Sequence, residues 1–404
     1  MGRAIPWVFA VGCWSGAPPA AAPPAPEKVE EENPRSACEA SSSLQTLDGF
    51  GLIPPASASA SAVAATDREI YVAGHAWRGA SMSWMVRRAS MQSPDRWSTV
   101  ELAAGGHGQA SALAAGGRSV WVAGTFRRGE VTHWVVQEGS TGTGGAWTVV
   151  DRYVGAVPRA AVVDGAGRLF VAGEVFAAGT TPGGWLTRRR DADRTWSNVD
   201  VFRAPKAQST AAVALAVGPD GVYALGNARD RGRRSRWILR KSGDGGATWT
   251  TVAAAKTPQT ATDLVVSAAG KIHLVGYETE GKASSAWVLL QSGDGGSTWG
   301  DFSSERPRGG RLTAAQAVIM DGAGGVFVGG SIESSDGARW VLRRSRPGGT
   351  TLETVDDYRY ARSGTSADKI DDLALDIRGG PVSVGDVLTG RRGWMVRGYG
   401  CKTP

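Results

Sequence analysis

Residues 242–249 read Ser242-Gly243-Asp244-Gly245-Gly246-Ala247-Thr248-Trp249, and the octet returns fifty residues later as Ser292-Gly293-Asp294-Gly295-Gly296-Ser297-Thr298-Trp299. Each copy follows an apolar run that opens with a tryptophan, Trp237 or Trp287. Serine and aspartate side chains bond the backbone of their own turn, and glycine adopts positive φ without strain. A turn that recurs at a fixed period indicates hairpins within a repeat architecture.

The octet fits the pattern Ser-x-Asp-x-Gly-x-Thr-Trp and so resembles the Asp-box (BNR) repeat of sialidases and related β-propellers. The resemblance implies a turn between the third and fourth strands of a blade, on the face away from an active site. A catalytic or metal-binding role for the two aspartates is the alternative. We expect a structural role for the matching residues, which are Ser242, Asp244, Gly246, Thr248, Trp249, Ser292, Asp294, Gly296, Thr298 and Trp299.

The same period extends over most of the chain. Seven tryptophans, 50 to 54 residues apart, each open a largely apolar strand: Trp84, Trp134, Trp185, Trp237, Trp287, Trp340 and Trp394. An apolar segment that ends in glycine precedes each of them, as in Tyr71-Val72-Ala73-Gly74, and a short Ala/Val/Leu-rich segment precedes that. Four short strands per repeat are typical of a propeller blade. The sequence therefore predicts an all-β, seven-bladed β-propeller of four-stranded blades over residues 38–404.

The ends of the chain predict how the ring closes. The seventh repeat reaches Pro404 without a fourth strand, and residues 44–50 (Leu-Gln-Thr-Leu-Asp-Gly-Phe) match residues 352–358 (Leu-Glu-Thr-Val-Asp-Asp-Tyr) in pattern. We expect the N-terminal strand to complete the last blade, which leaves no open sheet edge. Cys38 and Cys401 map to one loop of that blade, so we expect a disulfide in an oxidising compartment. Two free thiols are the alternative.

The N-terminal residues predict export. In residues 1–12, Arg3 precedes an apolar segment, as in a signal peptide. The Ala-Val-Gly-Cys sequence that ends at Cys13 resembles a bacterial lipobox, with Ala10 in place of the usual leucine, and this implies lipidation of Cys13 and membrane anchoring. Residues 13–37 are rich in proline and alanine, carry an acidic run, and predict an extended tether. We expect a lipoprotein of the bacterial cell envelope; secretion without a lipid, or a cytoplasmic location, is the alternative.

Composition limits the partners. The net charge of +7 favours acidic polymers or anionic membrane surfaces, unless it reflects only an arginine-rich surface. The three cysteines and four histidines show no metal-ligand spacing, so we predict no metal and no cofactor. The basic loop at 229–236 has no interleaved aromatic residues, so we expect no nucleic-acid binding. We expect a monomer.

A polar residue follows the second-strand glycine in every repeat. If the strand ends at the glycine, these residues open the loops of one face and surround one mouth, which predicts a ligand site. Strand ends that merely meet water are the alternative. The candidates are His75, Thr125, Glu174, Asn227, Tyr277, Ser331 and Asp386, with Arg159 and Arg311 at the starts of inter-blade strands.

The resemblance to sialidases does not extend to their active-site pattern. Those enzymes place three arginines, a Tyr–Glu pair and an aspartic acid on this face. Here Leu52-Ile53-Pro54 stands where they carry Arg-Ile-Pro, and seven repeats replace their six blades. Glycosidases need two suitably spaced carboxylates, and the sequence alone places no such pair, so we identify no catalytic residue. We predict a binding or scaffold propeller for a protein or glycan; a sialidase-like glycoside hydrolase or lyase on the same face is the alternative.

Overall fold

The structure is a computed structural model that describes residues 40–51, 57–79, 81–103, 107–142, 145–176, 183–281, 283–360, 366–388 and 392–401. The predicted export signal, the tether, Cys13, Cys38 and Leu52 lie outside these residues. Only the backbone of Cys401 is described, so its pairing with Cys38 stays a prediction. Within the described residues, every regular secondary-structure element is a β-strand.

These strands form seven sheets, one per blade. The chain opens with β1 (Ala40–Phe50), which belongs to the last blade. The blade 1 strands are β2 (Ser57–Ala65), β3 (Glu69–Arg78), β4 (Ser81–Ser90) and β5 (Ser93–Ala103). The blade 2 strands are β6 (His107–Gly116), β7 (Ser119–Arg128), β8 (Val131–Ser140) and β9 (Thr148–Val154). The blade 3 strands are β10 (Ala156–Val163), β11 (Leu169–Val175), β12 (Gly184–Arg190) and β13 (Trp196–Phe202).

The remaining blades follow the same order, with short additions in blades 5 and 6. The blade 4 strands are β14 (Ser209–Gly218), β15 (Gly221–Arg229), β16 (Ser235–Ser242) and β17 (Thr250–Ala254). The blade 5 strands are β18 (Thr260–Val266), β19 (Ile272–Glu280), β20 (Ser284–Ser292), β21 (Gly300–Asp301) and β22 (Arg308–Gly310). The blade 6 strands are β23 (Ala314–Met320), β24 (Val326–Ser334), β25 (Gly337–Ser345), β26 (Leu352–Tyr358) and β27 (Ser366–Ala367). The blade 7 strands are β28 (Lys369–Leu375), β29 (Pro381–Leu388) and β30 (Arg392–Cys401).

The predicted closure of the ring is confirmed. Strand β1 pairs antiparallel with β30, with Phe50 opposite Trp394, and completes blade 7 in the order β1-β30-β29-β28. The first strands of successive blades contact one another around the ring, and β28 of blade 7 contacts β2 of blade 1. An edge strand that would otherwise expose unpaired backbone groups is thereby paired.

The seven repeated tryptophans fill the spaces between blades. Each of them packs against residues of the next blade; Trp84, for example, lies in a cluster with Ala110 and Val120 of blade 2. Their exposed fractions are between 0% and 3%. Truncation of so large a buried ring costs about 3–5 kcal/mol, which explains why the repeat is visible in the sequence as a tryptophan period.

The expectation that the second strand ends at its glycine is wrong. Strand β3 continues past Gly74 to Arg78, and the equivalent strands also continue past their glycines. Each glycine faces a β-bulge in the first strand of its blade. A Cβ on Gly74 would stand 1.9 Å from the carbonyl oxygen of Ser59, and the equivalent distance in the other blades is 2.0 to 2.2 Å. Glycine is needed here because the bulged backbone occupies the space of a side chain.

A second repeated feature joins neighbouring blades. Three residues after the tryptophan, an arginine donates from Nε and Nη2 to both oxygens of an aspartate in the preceding blade, at 2.7 to 2.9 Å. Its Nη1 bonds a threonine or asparagine of its own blade, and its guanidinium lies over an aromatic ring two residues beyond the aspartate. We call this arrangement the arginine clamp. Among the described residues it occurs four times, as Arg87–Asp48, Arg188–Asp151, Arg240–Asp200 and Arg397–Asp356.

Candidate ligand-binding site

The two octet turns use their polar side chains internally. In the first turn, Asp244 accepts hydrogen bonds from Ser242 Oγ at 2.8 Å and from the backbone N–H of Thr248 at 2.9 Å. Hydrogen bonds from the Thr248 side chain and backbone hold the pKa of Asp244 far below its usual range. The second turn repeats these bonds, and there they lower the pKa of Asp294 to about 2. Both turns link the third and fourth strands of their blades, as predicted.

Four of the nine predicted site residues meet at one pocket. Tyr277, Arg311, Ser331 and Asp386 line a cavity of about 260 Å³ that is formed by blades 5, 6 and 7. Its volume lies just below the ~300–1,000 Å³ typical of small-molecule sites. We call it the blade 5–7 pocket.

The other five predicted residues do not line this pocket. The side-chain amide of Asn227 donates to the carbonyl of Ala261 at 2.8 Å, and its oxygen accepts the Ala261 N–H at 2.9 Å, so it joins blade 4 to blade 5. Glu174 pairs with Arg159 at 3.6 Å. Thr125 is half-buried, opposite Trp134 within its sheet.

His75 is the fifth of these residues, and the charges of two pocket residues, Asp386 and Arg392, act on it. It is buried, and its Nδ1 has no hydrogen-bond partner among the described residues. Burial lowers its pKa; the negative charge of Asp386 opposes this effect, and the positive charge of Arg392 adds to it. A lowered pKa keeps the imidazole neutral at pH 7, so it can exchange hydrogen bonds without carrying charge.

Arg311 is an exposed cation on the wall of the pocket. It lies in the turn between β22 and β23, where the N–H of Thr313 bonds the carbonyl of Gly310 at 3.0 Å. The arginine is exposed and has no hydrogen-bond or ion-pair partner among the described residues. An unpaired guanidinium on a pocket wall is a preformed site for a carboxylate, which it binds in bidentate fashion.

Asp386 is the buried acid of the pocket. It is 2% exposed, and Oδ2 accepts a hydrogen bond from Arg392 Nη1 at 3.0 Å. Oδ1 has no partner in the part of the chain that the structure describes. Lys369 Nζ lies 4.0 Å from the carboxylate and 2.5 Å from Asp371. Burial lowers the pKa of Lys369, but the charges of Asp371 and Asp386 outweigh burial, and the pKa of Lys369 is raised.

Asp368 also lines the pocket, but its carboxylate serves the backbone. It is fully buried and accepts the N–H groups of Tyr360 at 2.9 Å and Leu388 at 3.0 Å. Burial raises its pKa despite these bonds. Its oxygens are therefore committed to holding the two loop ends in place.

The first strands of the blades surround a central channel, a cavity of about 360 Å³ that carries three half-buried carboxyl groups, those of Asp263, Asp371 and Asp372. Asp263 accepts the N–H of Val318 in the next blade at 2.8 Å, and Asp372 accepts that of Val63 at 2.8 Å. Desolvation by the channel walls raises the pKa of Asp263 to about 8 and that of Asp372 to about 7. Within the described residues, no group of His, Cys, Asp and Glu side chains could hold a metal ion.

No helix in the described part of the chain has the length and apolar character needed to cross a bilayer.

No protein-family model and no curated protein matches the chain. Solved structures do share its fold. The Hadza microbial sialidase Hz136 matches with a TM-score of 0.51 at 14% identity, over 78% of this chain and 73% of that one. Polysaccharide lyase Uly1 matches with a TM-score of 0.54 at 10% identity, over 84% of this chain and 89% of that one. A fungal alcohol oxidase of the AA5 family, in complex with copper, matches with a TM-score of 0.51 at 14% identity, over 91% of this chain and 77% of that one.

These identities are low, and the likeness shows a sialidase-like β-propeller fold alone. The sequence prediction missed Lys369 and Arg392, which also line the pocket. Both lie at the N-terminal ends of strands in blade 7, β28 and β30, so an alignment of strand starts across repeats would have found them.

Proposed function

We propose that the protein is an exported, lipid-anchored Asp-box propeller that binds an acidic glycan in the blade 5–7 pocket without cleaving it. The observation that carries the proposal is Arg311, an exposed guanidinium with no partner among the described residues, on the wall of a pocket. The carboxylate of a uronic or sialic acid fits this group in charge and geometry.

The other residues of the pocket suit a sugar ring. Tyr277 offers an aromatic surface, and the free oxygen of Asp386 offers an acceptor for a sugar hydroxyl. Lys369 and Arg392 add positive charge to the same walls. The net charge of +7 further favours an acidic ligand through long-range attraction.

Binding is favoured over hydrolysis by the state of the carboxylates. A glycosidase generally uses two carboxyl groups on opposite sides of the scissile bond. Of the two aspartates in the pocket, Asp368 holds backbone N–H groups with both oxygens, and Asp386 has one oxygen without a partner among the described residues.

Matched acidic and neutral sugars test the proposal. The full chain should bind trigalacturonate and sialyllactose, and it should bind galactotriose and lactose much more weakly. Mass spectrometry of the sugars after long incubation should show no cleavage products. Equal binding of each acidic sugar and its neutral partner would contradict the proposed ligand class.

A sialidase-like hydrolase or lyase is the second candidate, and one observation favours it. The negative charge of Asp386 acts on His75, and each residue has a buried atom without a hydrogen-bond partner among the described residues. Such a pair could transfer protons during catalysis. If the wild type forms cleavage products and Asp386→Asn forms none, the protein is a hydrolase or lyase and not a binding protein.

A further inference from the structure

The interface between blades 1 and 2 lacks the arginine clamp. Gln137 stands at the position of the clamp arginine, and Ala103 stands at the position of the aromatic ring. Val149, opposite Gln137 in the sheet, replaces the threonine or asparagine that bonds Nη1 in the clamps. All three residues line a cavity of about 460 Å³. The cavity therefore lies where the four clamped interfaces hold a guanidinium and a ring.

Gln137 marks the cavity as an incomplete polar site. It is 7% exposed, and its side chain lies near the carboxylate of Glu101 in blade 1, where it opposes the rise in the Glu101 pKa that burial causes. Because a carboxylate only accepts, the amide nitrogen must face Glu101. The remaining atom, Oε1, is buried with no hydrogen-bond partner among the described residues. A buried amide oxygen without a partner costs about 1–3 kcal/mol, which a donor group of a ligand would offset.

Apolar and basic side chains make up the rest of the wall. Phe126 stacks on Trp84 at 5.2 Å and, with Val135, gives the cavity an apolar wall. Arg128 and Arg152 line it and are exposed, with no partner for either guanidinium among the described residues. Positive charge beside an apolar, roomy cavity fits a negatively charged ligand with an apolar body.

We propose that this cavity, which we call the blade 1–2 cavity, binds a small hydroxyaryl carboxylate. The ring occupies the space of the missing clamp, the hydroxyl donates to Gln137 Oε1, and Arg128 and Arg152 bind the carboxylate. The site is separate from the blade 5–7 pocket, and the two share no lining residue.

Calorimetric titration of the full chain with 3-(4-hydroxyphenyl)propanoate tests the proposal. We expect this ligand to show saturable binding at millimolar concentrations. Its methyl ester, which lacks the charge, and 3-phenylpropanoate, which lacks the hydroxyl, should each bind at least tenfold more weakly. Ala103→Phe, which fills the cavity, and the pair Arg128→Gln/Arg152→Gln should each weaken binding at least tenfold. Arg118→Gln is the matched control, because Arg118 is an exposed arginine beside the opposite end of β7.

Each outcome of this experiment decides the matter. The arginine variants lie at the surface and keep the test valid if Ala103→Phe fails to fold. No saturable binding to the wild-type chain, or equal affinity in the arginine pair and in Arg118→Gln, would overturn the proposal. Loss of acidic-sugar binding in Arg311→Ala with the aryl carboxylate still bound would show that the two sites are independent.

Discussion

Arg87 of blade 1 donates to both carboxylate oxygens of Asp48, at 2.9 and 2.7 Å, and Asp48 lies on the N-terminal strand that completes blade 7. The side chains are only 12% and 8% exposed. The guanidinium also lies 5.0 Å from the centre of the Phe50 ring. The closure of the ring is therefore held by strand pairing in blade 7 and by a clamp from blade 7 to blade 1.

Breaking this clamp on one side should be costly. Arg87→Met leaves the carboxylate of Asp48 buried without its partner, which destabilises proteins by about 3–5 kcal/mol. Arg87→Met/Asp48→Leu should recover much of that loss, since it removes both charges. Chemical unfolding of the two variants provides the measurement, with Arg68→Ala as an exposed control whose side chain is 85% exposed. Equal losses for the single and double variants would contradict the account of the clamp.

The second-strand glycines should not tolerate a methyl group. In Gly276→Ala the new Cβ would stand 2.0 Å from the backbone oxygen of Thr260, so the bulge must shift. We expect a loss of roughly 1–3 kcal/mol or more from overpacking. Gly293→Ala in the same blade is the control, because nothing lies within 4 Å of its added Cβ. If the two variants unfold at the same denaturant concentration, the bulge does not require glycine.

The octet turns should contribute to stability and not to ligand binding. Asp294→Ala loses the bonds from Ser292 and Thr298, and the melting temperature should fall by a few degrees. Because the pKa of Asp294 is lowered to about 2, its contribution is present above the ordinary carboxyl pKa and is lost as the pH falls toward 2. The control is Asp301→Ala, an exposed residue just after the turn. Loss of sugar binding in Asp294→Ala at an unchanged melting temperature would place the ligand on the octet face.

Stability should fall as the pH rises from about 4 to about 8. The pKa values of about 8 for Asp263 and about 7 for Asp372 mean that the folded state keeps protons that the unfolded chain has released above the ordinary carboxyl pKa. Each group can contribute at most about 1.4 kcal/mol per pH unit inside its window. Water in the channel reduces this effect, since both side chains are half-buried.

Melting curves at several pH values test this dependence. The melting temperature of Asp263→Asn should fall less between pH 5 and 8 than that of the wild type, because one of the three channel carboxyl groups with a raised pKa is gone. The exposed Asp67→Asn should keep the wild-type dependence. Identical slopes for Asp263→Asn and the wild type would show that Asp263 is ionised throughout this range.

The fold could be predicted because its strongest signals are local. The buried tryptophans and the octet turns repeat at one period, and residues 44–50 carry the pattern of a fourth strand. The prediction that the second strand ends at its glycine was wrong because glycine often ends a strand. The bulge in the neighbouring strand, which is the reason for the glycine, leaves no pattern in the sequence. The residues of the clamp occur in the sequence as two motifs, Trp-x-x-Arg and Asp-x-aromatic. The two motifs belong to neighbouring blades, so the sequence alone does not show that the arginine of one binds the aspartate of the other.

The candidate site could be predicted only in part. A ring of seven equivalent positions is symmetrical in sequence, whereas the pocket draws on only three consecutive blades. Loop residues such as Arg311 break the symmetry, because the short β22 shapes the turn before blade 6. The repeat pattern carries no information about such an insertion.

Titration of the full chain with sialyllactose and trigalacturonate, in wild type and in Arg311→Ala, decides whether the blade 5–7 pocket binds acidic glycans. Arg308→Ala is the matched control, since Arg308 is an exposed arginine three residues away that pairs with Glu280 and does not line the pocket. We predict saturable binding to the wild type and to Arg308→Ala, and at least tenfold weaker binding to Arg311→Ala, or about 1.4 kcal/mol. Equal affinity for all three proteins, or no binding to any, would contradict the account.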